Sequence, residues 1–385
     1  MDDPSHFCAT NLLHTQEKMR RYAPGGFHPV RLGDKFKDGR YTVYHKLGWG
    51  GFSTVWLVGD AELNVWVALK ITTASSPKPS KELEVFQYLR QKGAAHHLAL
   101  LLDSFIHKGP NGSHQCLVFE LLGPSVDTVV ADYSTSGDRL AASTILRIAR
   151  QLLQALASMH AEGYAHGDIS GSNVVFTAHK LAQSSLESIF DVIGAPKPED
   201  LIRCDGEQLS PGLPEQLVEK AGWDDWIDED DEDIRVIDLG EAFAQGAEPV
   251  HLSEPGGLQV PEGIFTGRFD YRLDLWRAGC TIYTTVMGSR PFQFLSEIDV
   301  LVAQMIHFVE ELPPEWKPKW EQLKEKAGRK WDQIPDSMPP RSKLEDRFER
   351  KAREACLKPL LPIMQGLLRF RPSDRISAAA ALRLL

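Results

Sequence analysis

The run LDLWRAGCTIYTTVMG, residues 273–288, is apolar almost all round. A helix without a polar face has to be buried, which calls for a larger helical lobe around it. Other segments can supply that lobe. STILRIARQLLQALASMH has apolar residues at helical spacing and ends near Gly163, and VLVAQMIHFVEEL and LKPLLPIMQGLLRF read as further helices. The first 120 or so residues have a different pattern. YTVYHKLG, FSTVWLVGD and VWVALKIT are rich in β-branched and aromatic residues, as strands are. After the loop TASSPKPS, KELEVFQYLRQ places Leu83, Phe86 and Leu89 on one face of a short helix, and LALLLDSFIH and HQCLVFELLG read as two more strands. The expected class is α+β, with a small β-rich N-lobe carrying one main helix, a larger, mostly helical C-lobe, and a cleft between them. The expected division is an N-terminal arm over 1–40 packed on the N-lobe, the N-lobe over 41–122 and the C-lobe over 123–385. A polar insertion occupies about 177–233 and ends in WDDWIDEDDED.

Bulk properties narrow the functions. A chain of 385 residues is long enough for two lobes. Its net charge of −10 makes a basic peptide a better partner than nucleic acid. The five cysteines form no CxxC pair, which argues against a zinc site or a disulfide framework. No apolar run approaches the roughly 20 residues of a membrane span, and the first 22 residues lack the apolar core of a signal peptide. The expectation is a monomer acting in the cytoplasm, the nucleus or both, away from membranes and without direct nucleic-acid contact.

Four motifs could carry chemistry. LGWGGFSTVWL sets Gly48 and Gly50 between two strands. A glycine-rich hairpin lets backbone N–H groups approach phosphate oxygens, although the same glycines can also serve an ordinary turn. Ser53 stands where GxGxxGxV has its third glycine, and it is small enough for close approach. Lys70 ends VALK on the third strand, where it would reach α- and β-phosphates and pair with a carboxylate of the next helix. Glu82 and Glu84 are the candidates. Apolar residues at +1, +3, +4 and +7 turn Glu82 inward, while Glu84 reads as a surface charge. HGDISGSN holds Asp168 and Asn173 five positions apart, one able to orient a hydroxyl proton and the other to ligate a metal. Asp238 in VIDLG is a hard anionic ligand suited to Mg²⁺. Asp–Gly and Asn loops are also common turns, but all four motifs in this order match the needs of phosphoryl transfer.

These residues resemble the eukaryotic protein-kinase family from about Tyr41 to Leu385. LGWGGFSTV resembles the glycine-rich loop, VALK the strand-lysine motif, HGDISGSN the HRDLKPEN loop, and DLG the DFG motif. VPE, ending at Glu262, resembles APE, and DLWRAG, from Asp274, resembles DxWxxG. Arg375 in RPSDR would pair with Glu262. GGFHPVRLGD, HKGPNGSHQCLVFELLG and VIDLGEAF are most similar to the SR-protein kinases and their divergent fungal relatives. The resemblance implies a non-specific serine/threonine protein kinase using ATP and Mg, with Arg/Ser-rich or basic protein substrates. It implies Asp168 as catalytic base, Lys70 paired with Glu82, and Asn173 and Asp238 as metal ligands. Leu47, Gly48, Trp49, Gly50, Gly51, Phe52, Ser53, Thr54 and Val55 would form the nucleotide loop. Val55, Ala68 and Val175 would sandwich adenine, Phe119 would be the gatekeeper, and the backbone of Glu120 and Leu122 would bind the adenine edge. Asp274 would brace the loop near His166.

The chain departs from the family pattern in three places. Gly167 replaces the Arg that normally reads an activation-loop phosphate, which predicts activity without phosphorylation there; Ser253 is the one hydroxyl in Glu241–Val260. Ser170 replaces a Lys that touches the γ-phosphate, a loss of ~3 kcal/mol unless another cation substitutes. The chain stops soon after RPSDR, which predicts a short or truncated final helix. Two alternatives stay open: a small-molecule phosphotransferase of the kinase-like fold, which also uses HGD, and a pseudokinase scaffold, suggested by Ser53 and Ser170.

Overall fold

Six strands form one antiparallel sheet in the order β1-β2-β3-β4-β6-β5. They are β1 (Lys35–Phe36), β2 (Tyr41–Trp49), β3 (Ser53–Asp60), β4 (Val65–Thr72), β5 (Leu101–Gly109) and β6 (Gly112–Glu120). The computed structural model describes residues 6–74, 80–227, 229–251, 256–294, 297–328 and 342–385. The chain divides into two compact units: Met1–Glu84 with Ala99–Gly123 and Thr177–Asp228, and Val85–Leu98 with Pro124–Phe176 and Glu229–Leu385. The division falls inside helix α1 (Lys81–Gln91), between Glu84 and Val85.

In the first unit, strand parity sorts the side chains into two faces. Registers Trp56↔Leu69↔Val118 and Val58↔Val67 place Trp56, Val58, Val67, Leu69, Ile71, Cys116 and Val118 on one face, where they form a buried core with Tyr41 and Val43. Val30 and Phe36 from the N-terminal segment join that core. The same segment buries an ion pair between Glu17 and Lys46, and Tyr22 donates to Glu17. Burial lowers the Lys46 pKa despite the opposing pull of Glu17.

The insertion is structured. Helix Leu186–Ile193 is capped by Ser185, whose Oγ accepts from Ser188 N at 3.1 Å. Ile189 and Ile193 pack with Leu57, Leu121 and Ala221. Trp66 Nε1 donates to Ser184 O at 2.9 Å, and Pro198–Asp200 pairs with Gln216–Val218. Residues Thr177–Asp228 therefore belong with the sheet unit, not within the helical lobe where sequence order placed them. The reason is physical: the apolar residues of the insertion find their partners on β2–β4.

In the second unit, α2 (Val126–Ser136) and α3 (Ala142–Ala161) precede the strands of two small sheets. β7 (Tyr164–Ala165) pairs with β10 (Phe243–Ala244), and β8 (Val174–Thr177) pairs with β9 (Ile234–Val236). Then follow α4 (Pro261–Thr266), α5 (Leu273–Met287), α6 (Ile298–Phe308), α7 (Lys317–Ala327), α8 (Lys343–Lys351) and α9 (Leu360–Leu367), with a short final helix at Ala378–Leu382. Every residue of α5 except Thr284 is buried, as its all-round apolar pattern requires. The acidic run that ends the insertion is partly folded. Asp230 accepts from Thr144, Arg147 donates to the carbonyls of Glu229 and Asp230, and Gln151 donates to Asp233. Asp228 lies outside the described residues. Among the described residues no helix is long and apolar enough to cross a membrane.

Candidate active site

The face of the sheet opposite the core carries Val55, Leu57, Ala68, Lys70, Leu117 and Phe119, as registers Val55↔Lys70↔Leu117 and Leu57↔Ala68↔Phe119 dictate. Lys70 Nζ donates to both oxygens of Glu82, at 2.7 and 2.8 Å. Glu82 is buried and Glu84 exposed, so the inward carboxylate is the one that holds the lysine. Ala68 and Phe119 are nearly buried. The N–H of Glu120 donates to Leu100 O at 3.1 Å and its Oε1 accepts from Leu100 N, and Leu122 is half-buried just beyond.

The β2–β3 hairpin carries the glycine-rich segment. Gly48 pairs with Val55 and Trp49 with Thr54, and Gly50 N donates to Ser53 O at 2.9 Å. None of Gly48, Gly50 and Gly51 has a positive φ, so the turn itself does not demand glycine there. A Cβ at any of the three would enter open space, as expected of a surface over which phosphate oxygens could approach backbone N–H groups. Trp49 and Phe52 are exposed, Ser53 is half-buried, and Leu47 packs at the edge of the insertion cluster. Thr54 points differently: its Oγ1 accepts from Trp56 Nε1 at 3.0 Å and its side chain is buried, so only its backbone can line the loop. Arg21 Nη2 donates to Gly51 O at 2.5 Å, tying the arm to this hairpin.

In the second unit, the loop His166–Asn173 joins β7 to β8. Asp274, fully buried on α5, accepts from the N–H of His166 at 2.7 Å and of Gly167 at 3.0 Å, and pairs with His160 Nε2 at 3.0 Å. Burial alone would raise the Asp274 pKa, but the His160 contact and the His166 N–H outweigh it and the net shift is downward. His166 Nδ1 accepts from Asp168 N, and its Nε2 lies 3.0 Å from Ile237 O. Asn173 Nδ2 donates to Asp168 O at 2.8 Å and to Asp168 Oδ2 at 3.0 Å, which leaves the Asn173 Oδ1 as the atom for a metal. Asp238 is exposed and left-handed, at φ 64°. That conformation costs a non-glycine residue roughly 1–2 kcal/mol and is typical of functional positions. Val175 is buried on β8. Glu262 and Arg375 form the expected buried pair, at 2.8 and 2.5 Å.

Comparison with known proteins places this chain beside protein kinases in sequence and fold. The family model described as protein kinase domain matches residues 41–184. Over that segment the chain is similar to protein kinase domains. It is SR-protein-kinase-like: Protein kinase dsk1 of Schizosaccharomyces pombe is 37% identical over 181 residues, 45% of this chain and 33% of that protein. SRSF protein kinase 3 of Homo sapiens is 33% identical over 196 residues, 48% of this chain and 34% of that protein. The matched region thus spans about a third of the length of each relative. A solved crystal structure of a kinase domain matches with TM-score 0.60 at 17% identity, over 93% of this chain and 97% of that one. The fold is therefore the α+β kinase fold, with a β-sheet N-lobe and a helical C-lobe.

The sequence flagged Gly167 but not the reason for it, and it did not flag Arg277 at all. Gly167 has φ 83°, and a Cβ there would lie 2.4 Å from Glu241 O. The loop thus excludes the Arg of the family pattern by backbone geometry. The Arg277 side chain is fully buried and lies 3.2 Å from Asp168 Oδ1; the signal was a lone cation inside the apolar helix. Ser253 lies outside the described residues. Gly171 and Ser172 both approach Asp127: a Cβ on Gly171 would clash with its Oδ1, and Ser172 Oγ donates to its Oδ2 at 3.1 Å.

Proposed function

We propose that the protein is an ATP- and Mg-dependent serine/threonine kinase that transfers the γ-phosphoryl group to hydroxyls of Arg/Ser-rich or basic protein substrates. Phosphoryl transfer needs a nucleotide cradle, a cationic clamp, metal ligands and a group that positions the acceptor. In this reading Leu47–Val55 cradle the phosphates, Lys70 held by Glu82 clamps the α- and β-phosphates, and Val55, Ala68, Phe119, Glu120 and Leu122 receive adenine. Asn173 and Asp238 would hold Mg²⁺. They are an amide and a carboxylate oxygen, the hard donors that the ion prefers, with water and phosphate completing its shell. Bound there, the ion would offset charge on the phosphate oxygens. Asp168 accepts the hydroxyl proton of the substrate and orients the oxygen for attack.

The observation that carries this reading is the state of Asp168: partly exposed, with Oδ2 held by Asn173 and its loop backbone braced by a buried Asp274. The buried Glu262–Arg375 pair after the Gly256–Leu258 turn supports a protein rather than a small-alcohol acceptor. A monomer acting in the cytoplasm or nucleus fits the same reading. Radiolabel transfer from ATP·Mg to an Arg/Ser peptide, to basic proteins and to small alcohols tests it. Label is expected on the peptide and lost in Asp168→Ala. Label on the alcohols alone, or none on any acceptor, rejects the proposal.

A further inference from the structure

Arg277 lies in the middle of α5, and its side chain has no exposed surface. A guanidinium removed from water is unfavourable unless a counter-charge and hydrogen-bond acceptors surround it. Among the described residues, Asp168 is the only carboxylate within 4.0 Å of it. Nη1 donates to Gly167 O at 2.7 Å and to Asp168 Oδ1 at 3.2 Å, and Nε donates to Leu258 O at 3.3 Å. Nη2 is buried and has no hydrogen-bond partner among the described residues. Packing alone does not account for this arrangement, since a methionine of similar length would fill the space without a stranded donor. What arginine adds is contact with Asp168, Gly167 and Leu258 at once.

We propose that Arg277 is a positioning residue for phosphoryl transfer: it holds one carboxylate oxygen of Asp168 while Asn173 holds the other, so that the carboxylate plane is fixed toward the acceptor hydroxyl. This rests on the kinase reading of Asp168. Each carboxylate oxygen accepts more than one hydrogen bond, so the two donors leave capacity for the substrate proton. The loop itself cannot carry this cation at Gly167, where a side chain would strike Glu241 O, and Ser170 brings none. The Nε bond to Leu258 also ties Asp168 to the turn that precedes the VPE motif.

The test uses the full chain with Arg277→Met and Arg277→Lys, each in the Asp168 and the Asp168→Asn background. Initial rates of label transfer to an Arg/Ser peptide give kcat and KM, and thermal melts report folding. Displacing a catalytic group by about 1 Å costs on the order of a hundredfold. Arg277→Met is therefore expected to lower kcat about a hundredfold, with KM for ATP and peptide within about threefold. In Asp168→Asn it should change the residual rate by less than about twofold, because its effect runs through Asp168. Arg277→Lys, with charge but no fork, should lose at least about tenfold and only in the Asp168 background. If Arg277→Met is unfolded at the assay temperature, Arg277→Lys carries the same criterion. A kcat within about threefold of wild type, or an equal loss in both backgrounds, overturns the proposal. An inert wild type removes the kinase reading with it, whereas an active wild type indifferent to Arg277 removes this inference alone.

Discussion

Arg375→Met should be among the most destabilising single changes in the second unit. The Arg375 guanidinium is fully buried and makes five hydrogen bonds: two to Glu262, and one each to the carbonyls of Arg369, Arg272 and Phe370. It also lies 5.3 Å from the Trp276 ring centroid. Glu262 is itself 3% exposed, so removing its partner strands a carboxylate away from water. Breaking such a pair costs about 3–5 kcal/mol. For a unit of this size that lowers the melting temperature by roughly 6–20 °C. Calorimetry on wild type and variant reads the shift directly. Arg371 supplies the control: it forks onto Glu315 at 2.6 and 2.8 Å, but both partners are exposed, so Arg371→Met should leave the melt unchanged. The reasoning also makes a demand on the double variant. Glu262→Leu with Arg375→Met removes both charges and should recover at least half of the loss. An Arg375→Met melt within about 2 °C of wild type would refute the argument. So would a double variant as unstable as the two singles added together, which would place the cost in lost packing instead of a stranded charge.

Gly167→Ala forces a Cβ to within 2.4 Å of Glu241 O at φ 83°. It should destabilise by at least about 1–2 kcal/mol and slow label transfer, and a melt and rate equal to wild type would show that the loop relaxes freely. His28, packed against His107 and His114 at ring distances of 4.5 and 5.1 Å, has its pKa lowered to about 3, by burial first and then by those two neighbours. Its folded pKa lies below the unfolded value of about 6.5, so its contribution is complete above pH 6.5 and is lost as pH falls, by ~2 kcal/mol at pH 5; His28→Phe should flatten the fall in denaturation midpoint between pH 7 and 5. The exposed Cys8 and Cys204 flank the antiparallel Phe7–Arg203 bridge, where Cys8 N donates to Ile202 O at 2.8 Å and Cys204 N donates to His6 O at 2.9 Å. Diamide should join these two before either joins Cys356, and peptide mass mapping without reductant checks it; scrambled pairing contradicts the geometry. Exposed Asp224 and Asp225 are the residues of the acidic run to test for docking. If they recruit basic substrate, changing both to Asn should raise peptide KM at low salt and not at high salt.

The elements that were legible in the sequence are those set by local period and local chemistry. Alternation over 53–60 and 65–72 defines both faces of β3 and β4, and the inward Glu82 follows from one helical turn of apolar neighbours. What was not legible depends on contacts remote in sequence. No local signal says that Val30, Phe36 and Val218 close the same sheet face, because an apolar residue in a loop-rich segment specifies only that it must be covered. The insertion reads as polar on average, yet its few apolar residues, Ile189 and Ile193 among them, decide which unit it joins. In the acidic run, composition suggests solvated charge, but Glu229 accepts from Tyr133 at 2.6 Å and is buried. Deleting residues 224–233 would therefore remove contacts to α2 and α3 as well as charge, and only point changes separate the two effects.

The departures at Gly167 and Ser170 and the buried cation at Arg277 make sense as one change. In the family pattern that the chain resembles, an Arg and a Lys stand on the catalytic loop itself. Here both loop positions are small, Gly167 because a Cβ would meet Glu241 O, and the cation comes instead from α5. An ion pair with one fully buried partner is screened far less than a surface pair, and a planar fork held by Gly167 O and Leu258 O has little freedom to swing away. The positive charge beside Asp168 is thus buried within the second unit. Control of Asp168 then depends on the packing of α5 rather than on a phosphorylated segment. A loop organised in this way should be set in its working geometry when the chain folds, and phosphatase treatment of the purified protein should then leave its rate of label transfer unchanged.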